Sequence, residues 1–115
     1  MIFCLDRIGP LYSDVPGTLA EASAASTMAQ GLTSYESEIP VASWNGAEYE
    51  DRLVYIRTLH DTGLPLAAQQ AMIDEYKDVK WIVKDIESGH SPHLSQPERF
   101  AEMLLDLAKM FEKRP

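Results

Sequence analysis

Two side chains of this chain stand where proton chemistry is done. One is His90, in Ser88-Gly89-His90-Ser91-Pro92-His93-Leu94-Ser95-Gln96-Pro97-Glu98, and the other is Asp61, in His60-Asp61-Thr62-Gly63. An imidazole exchanges protons near neutral pH, and a carboxylate beside it fixes its tautomer and stabilises its cation, so the two together would form a proton relay. Each also has a plainer reading. Aspartate before Thr-Gly is a turn-former wherever a strand runs into a helix, and a loop histidine can simply end a strand and face water. His60, Asp61, His90 and His93 also offer imidazole and carboxylate ligands of the kind zinc accepts. Their spacing matches no metal motif such as His-Glu-x-x-His, so no metal or other cofactor is expected.

The elements that must position Asp61 and His90 are readable from the flanks. Leu53 to Leu59 and Lys80 to Ile86 are rich in β-branched and aromatic residues and read as strands, the second broken by Glu87-Ser88-Gly89. Between them, Pro65 to Tyr76 has helical spacing, with Leu66, Gln69, Met72, Ile73 and Tyr76 on one side, and Lys77-Asp78 turns the chain. After His90, Ser95 and Glu98 have the spacing of a capping box, and Phe100, Met103, Leu104, Leu107, Met110 and Phe111 predict a helix running to about Glu112. His93 is read as either altering the pocket mouth or facing water, with the surface the preferred expectation. Two strands joined through a helix pair in parallel when adjacent, and a right-handed crossover then places both carboxyl-end loops on one edge. Asp61 and His90 would face each other there, at the edge where open α/β sheets bind ligands.

The stretch Leu59-His60-Asp61-Thr-Gly-Leu-Pro65-Leu-Ala-Ala-Gln69, followed by Gly89-His90-Ser-Pro92-His-Leu-Ser95-Gln-Pro97, resembles the carboxyl-terminal part of an α/β-hydrolase. The branch it is most similar to is that of the small methylesterases and hydroxynitrile lyases. Leu11-Tyr-Ser-Asp-Val-Pro16 and the Ala-rich run to Gln30 resemble the cap helices of that branch, so the likeness extends over roughly residues 9 to 113. The resemblance implies that Asp61 and His90 are the acid and the base of a Ser-His-Asp triad, acting on a small ester or related acyl substrate. It further implies an α/β fold in which residues 1–50 are a helical cap segment and linker, and residues 51–115 a βαβα part of the core.

One family feature is missing. The nucleophile of an α/β-hydrolase is a serine in a Gly-x-Ser-x-Gly turn, and none of the six glycines of this chain frames a serine in that way. No segment matches the loop that supplies oxyanion-hole amides either. Two strands among 115 residues also fall short of a sheet buried on both faces. The expectation is a C-terminal part of a hydrolase, inactive by itself, whose nucleophile and remaining strands come from further sequence or from a second chain. The alternative is a non-catalytic hydrolase remnant that binds a partner through its sheet edge.

Composition fits an ordinary globular chain, with 45% hydrophobic and 24% charged residues. A net charge of -8 argues against binding nucleic acid or an anionic membrane surface, both of which need clustered Lys and Arg. Cys4 is alone, which excludes an intramolecular disulfide and suits a cytoplasmic setting. Met1 to Leu5 is too short for a secretory apolar region, and no run of about 18 apolar residues suggests a span. In the first half, Pro16 to Gln30 predicts a helix, Gly31 to Ser37 a short helical piece, and Pro40 to Asp51 a polar link, whose Trp44 and Tyr49 can line a pocket but more often in such a link simply pack.

Overall fold

A computed structural model describes residues 1–2 and 4–113. Phe3 of the short apolar start and the last two residues of the 51–115 unit lie outside the described residues. Strand β1 (Val54–Thr58) and strand β2 (Ile82–Ile86) pair in parallel, from Val54 opposite Ile82 to Thr58 opposite Ile86. Helix α4 (Leu66–Glu75) makes the crossover between them. Among the described residues, helices α1 (Ile8–Tyr12), α2 (Gly17–Ser26) and α3 (Thr33–Glu36) precede the strands, and α5 (Pro92–Ser95) and α6 (Pro97–Glu112) follow them. This is the α/β arrangement expected of the carboxyl-terminal part of an α/β-hydrolase fold.

Strand alternation puts Tyr55, Arg57, Val83 and Asp85 on one face of the sheet and Ile56, Thr58, Lys84 and Ile86 on the other. On the first face the Arg57 guanidinium makes a forked pair with Asp85, 2.6 Å from Nε and 2.8 Å from Nη2, and Nη1 donates to Gln70 Oε1 of α4 at 3.0 Å. One side chain thereby joins both strands to the crossover helix. Pairing continues past the strands: Leu59 N–H donates to the Ile86 carbonyl and His60 N–H to that of Ser88, each at 3.0 Å. The two carboxyl-end loops are therefore stitched together where they leave the sheet.

Three expectations change. The Pro16–Gln30 helix stops at Ser26, because the Ser26 and Thr27 hydroxyls donate back to the carbonyls of Ser23 and Ala24, each at 2.7 Å, and Thr27 turns extended. The capping box at Ser95 does not form. Ser91-Pro92 starts a helical turn early, so Ser95 is itself helical, its buried hydroxyl has no hydrogen-bond partner, and α6 starts at Pro97 after Gln96. Proline suits that first position because its missing N–H would have had no partner in the helix, and the Gln96 amide donates to the Glu87 carbonyl at 2.7 Å instead. In α6, Leu107 is buried with Phe100, Met103, Met110 and Phe111 partly covered, whereas Leu104 is 47% exposed and belongs to the outer face.

The link before β1 holds two 3₁₀ turns, Ser43–Asn45 and Ala47–Tyr49. Trp44 packs as expected, 5.1 Å from the Tyr76 ring and 5.4 Å from that of Trp81, whereas Tyr49 is exposed, and both Trp44 and Tyr49 line a cavity beside the link. The buried apolar set includes Val15, Ala20, Ile73, Ile86 and Leu107, and total accessible surface is 8329 Å². A compact monomer of 12.9 kDa would expose about 6,300 Å², so much apolar surface stays uncovered. No helix among the described residues is long and apolar enough to cross a membrane.

Candidate active site

The site forms where β1 and β2 end. Asp61 is three residues past Thr58, and its side chain is 3% exposed. Its Oδ1 accepts from the N–H groups of Gly63 and Leu64 at 2.9 and 2.8 Å, and its Oδ2 accepts from the Thr58 hydroxyl at 2.9 Å. The turn-forming role weighed for Asp61 is thus present, and it occupies one oxygen only. The other oxygen lies 2.9 Å from His90 Nδ1, across 29 residues of sequence. Burial pushes the Asp61 carboxyl up, but the bonds from Leu64, Thr58 and His90, with the imidazole's charge, outweigh it and hold the group below the usual carboxylate range. An ionised Asp61 makes Nδ1 the protonated nitrogen of a neutral His90, which leaves Nε2 as the basic one.

Behind this pair stands Gln69, the residue of α4 that is 1% exposed. Its Oε1 accepts from Thr58 N–H at 2.9 Å, and its Nε2 donates to the carbonyls of Thr58 at 2.9 Å and Leu64 at 2.8 Å. The odd-numbered residues of β1 direct their backbone groups to β2, so Thr58 faces the outer edge, and the Gln69 amide fills the place of a neighbouring strand there. Its partners lie on both sides of Asp61, at the strand end and in the turn. Sequence reasoning placed Gln69 on one side of the helix with Leu66, Met72, Ile73 and Tyr76, and at the end of the stretch that carries the resemblance, but gave it no role. The signal was a polar residue within an apolar stripe, since a buried amide must find hydrogen-bond partners. Thr58 carried no such signal.

Asp61 and His90 open onto a cleft of about 330 Å³ lined also by Tyr55, Leu64, Pro92, His93 and Phe100. His93 is exposed, as expected, but it borders the same cleft, whereas His60 does not. Burial, and secondarily the charge of Asp61, pushes the Tyr55 phenol up, so it is neutral and available as a donor. Among the described residues, no group of three or more His, Cys, Asp or Glu side chains could hold a metal ion.

No family model matches the chain. It is similar to a pyrethroid hydrolase of Sphingobium wenxiniae, with 31% identity over 83 residues that make up 70% of this chain and 29% of that protein. The chain therefore spans under a third of the length of the relative it matches. With its parallel α/β arrangement, that similarity supports a hydrolase-like chain.

Proposed function

We propose that this chain carries the acid and base of a serine-dependent acyl-transfer site, in the methylesterase and hydroxynitrile-lyase branch of the α/β-hydrolases. Residues 1–50 serve as its cap segment and linker, and residues 51–115 as the last part of its core. The observation that carries the proposal is the 2.9 Å approach of His90 Nδ1 to the buried Asp61 carboxylate at adjoining strand ends. His90 Nε2 takes the proton of a serine hydroxyl as that oxygen attacks the carbonyl of a small ester, and then passes the proton to the leaving alcohol. Water repeats the cycle on the acyl-enzyme. Asp61 holds the tautomer and stabilises the imidazolium without taking the proton. The serine and the oxyanion-hole amides lie outside these 115 residues, in further sequence or in a second chain.

A chimera tests this directly: residues 51–115 of this chain, which carry Asp61 and His90, replace the carboxyl-terminal part of the pyrethroid hydrolase. Turnover of the relative's substrate, lost by about 10⁴-fold in Asp61→Asn and His90→Ala chimeras, is the expected result. An active chimera indifferent to both substitutions would refute the assignment. The 115 residues alone should not be labelled by a fluorophosphonate.

A second reading rests on the large uncovered surface and on the missing Gly-x-Ser-x-Gly. In it the chain is a non-catalytic remnant in the cytoplasm that binds a partner through its sheet edge. Cooperative unfolding of a soluble, isolated chain together with an inactive chimera would favour it.

A further inference from the structure

We infer that Asp14 is a positioning residue for His90, and that residues 9–14 form a strap across both loops of the site. The inference rests on the Asp61–His90 reading above. Strand-like pairing holds the second loop only as far as Ser88, whose carbonyl accepts from His60 N–H. From Gly89 onward the strap takes over. Asp14 Oδ2 accepts from Gly89 N–H at 2.7 Å, and the Ser91 hydroxyl, on a residue 4% exposed, donates to the Leu11 carbonyl at 2.7 Å. The residues on either side of His90 are thereby fixed to one short segment, 75 and 80 positions away in sequence.

The same segment holds the acid loop. The Thr62 hydroxyl donates to the Gly9 carbonyl at 2.9 Å. A Cβ on Gly63 would lie 2.6 Å from the Pro10 carbonyl oxygen, and one on Gly89 would lie 2.6 Å from Asp14 Oδ1 and 3.0 Å from Ser13 Oγ. Close approach of the strap backbone thus requires glycine at position 63, and at Gly89 a Cβ would have to displace the Asp14 carboxylate and the Ser13 hydroxyl. The His90 side chain is 38% exposed, so packing around the ring is slight and its reach to Asp61 depends on where its backbone is held. The bond from Gly89 to a carboxylate is the charge-assisted and therefore the stronger kind of tie.

The test reads the ring tautomer of His90 in the full chain above neutral pH, by long-range ¹H–¹⁵N correlation, with His60 and His93 as internal references. Wild-type His90 should carry its proton on Nδ1. Asp14→Ala should lose that preference and move His90 towards the pattern of His93, while Asp14→Asn, whose amide oxygen can still accept from Gly89, should keep it. Ser91→Ala, which leaves the carboxylate in place, should weaken it through the second tie and decides the matter if Asp14→Ala unfolds the chain. A wild-type preference unchanged in Asp14→Ala or Ser91→Ala overturns the strap alone. Absence of the preference in the wild type overturns the Asp61–His90 pairing itself, and the strap with it.

Discussion

Truncating Gln69 tests whether one side-chain amide organises the acid end of the site. Gln69→Ala removes three hydrogen bonds, to Thr58 N–H, the Thr58 carbonyl and the Leu64 carbonyl, at a residue 1% exposed. At about 0.5–1.5 kcal/mol net for each, the expected loss is about 1.5–4.5 kcal/mol. Water entering the vacated space brings the value towards the middle of that range, about 3 kcal/mol. With a urea slope of about 1.5 kcal/mol/M, the unfolding midpoint should fall by about 2 M. The transition can be followed by the fluorescence of Trp44 and Trp81, which pack together beside Tyr76. The control is the next residue. Gln70 also makes two side-chain hydrogen bonds, to Arg57 and Asp74, but its bond to Asp74 is exposed, and water replaces such partners readily. Gln70→Ala should therefore cost less than about 1 kcal/mol. Equal losses in the two variants would refute the claim that Gln69 stands in for a neighbouring strand.

Three further outcomes follow from the same geometry. Asp61 has a folded-state pKa below its unfolded one, so its contribution to stability is present above about pH 4 and is lost as pH falls through the folded value. Thr58→Val, which deletes one of the bonds that hold the carboxyl down, should move the Asp61 ¹³Cγ titration to higher pH, and an unmoved curve would contradict that cause. Arg57→Lys should lower the denaturation midpoint, because a single ammonium cannot reproduce the fork on Asp85 or reach Gln70, and added salt should narrow the gap to the wild type. Two glycines should respond with opposite signs in thermal unfolding. Gly63→Ala meets the Pro10 backbone and should destabilise by about 1–3 kcal/mol, whereas Gly17→Ala meets nothing within 4 Å at the start of α2 and should stabilise by about 0.4–1 kcal/mol.

Much of the second half was legible residue by residue. Runs such as Val54-Tyr-Ile and Trp81-Ile-Val announce strands, and a helix-length segment between them dictates parallel pairing, which brings Asp61 and His90 to one edge. Local hydroxyl chemistry was harder to read, because whether Ser95 caps a helix or lies within one depends on where the preceding turn begins, and Ser91-Pro92 begins it four residues early. The same competition at Ser26 and Thr27 shortened α2.

By itself, the sequence determined which groups can exchange protons, which strand ends carry them, and that no Gly-x-Ser-x-Gly turn accompanies them, since these follow from residue type and local periodicity. Only the tertiary structure decided that Asp61 divides its two oxygens between a turn and His90, that Gln69 completes the outer edge at Thr58, and that residues 9–14 hold Gly89 and Ser91. Apart from the local turn bonds on Asp61, those bonds join positions 11 to 80 residues apart, and their donors and acceptors meet only once the strands have paired and the chain has folded back across their ends.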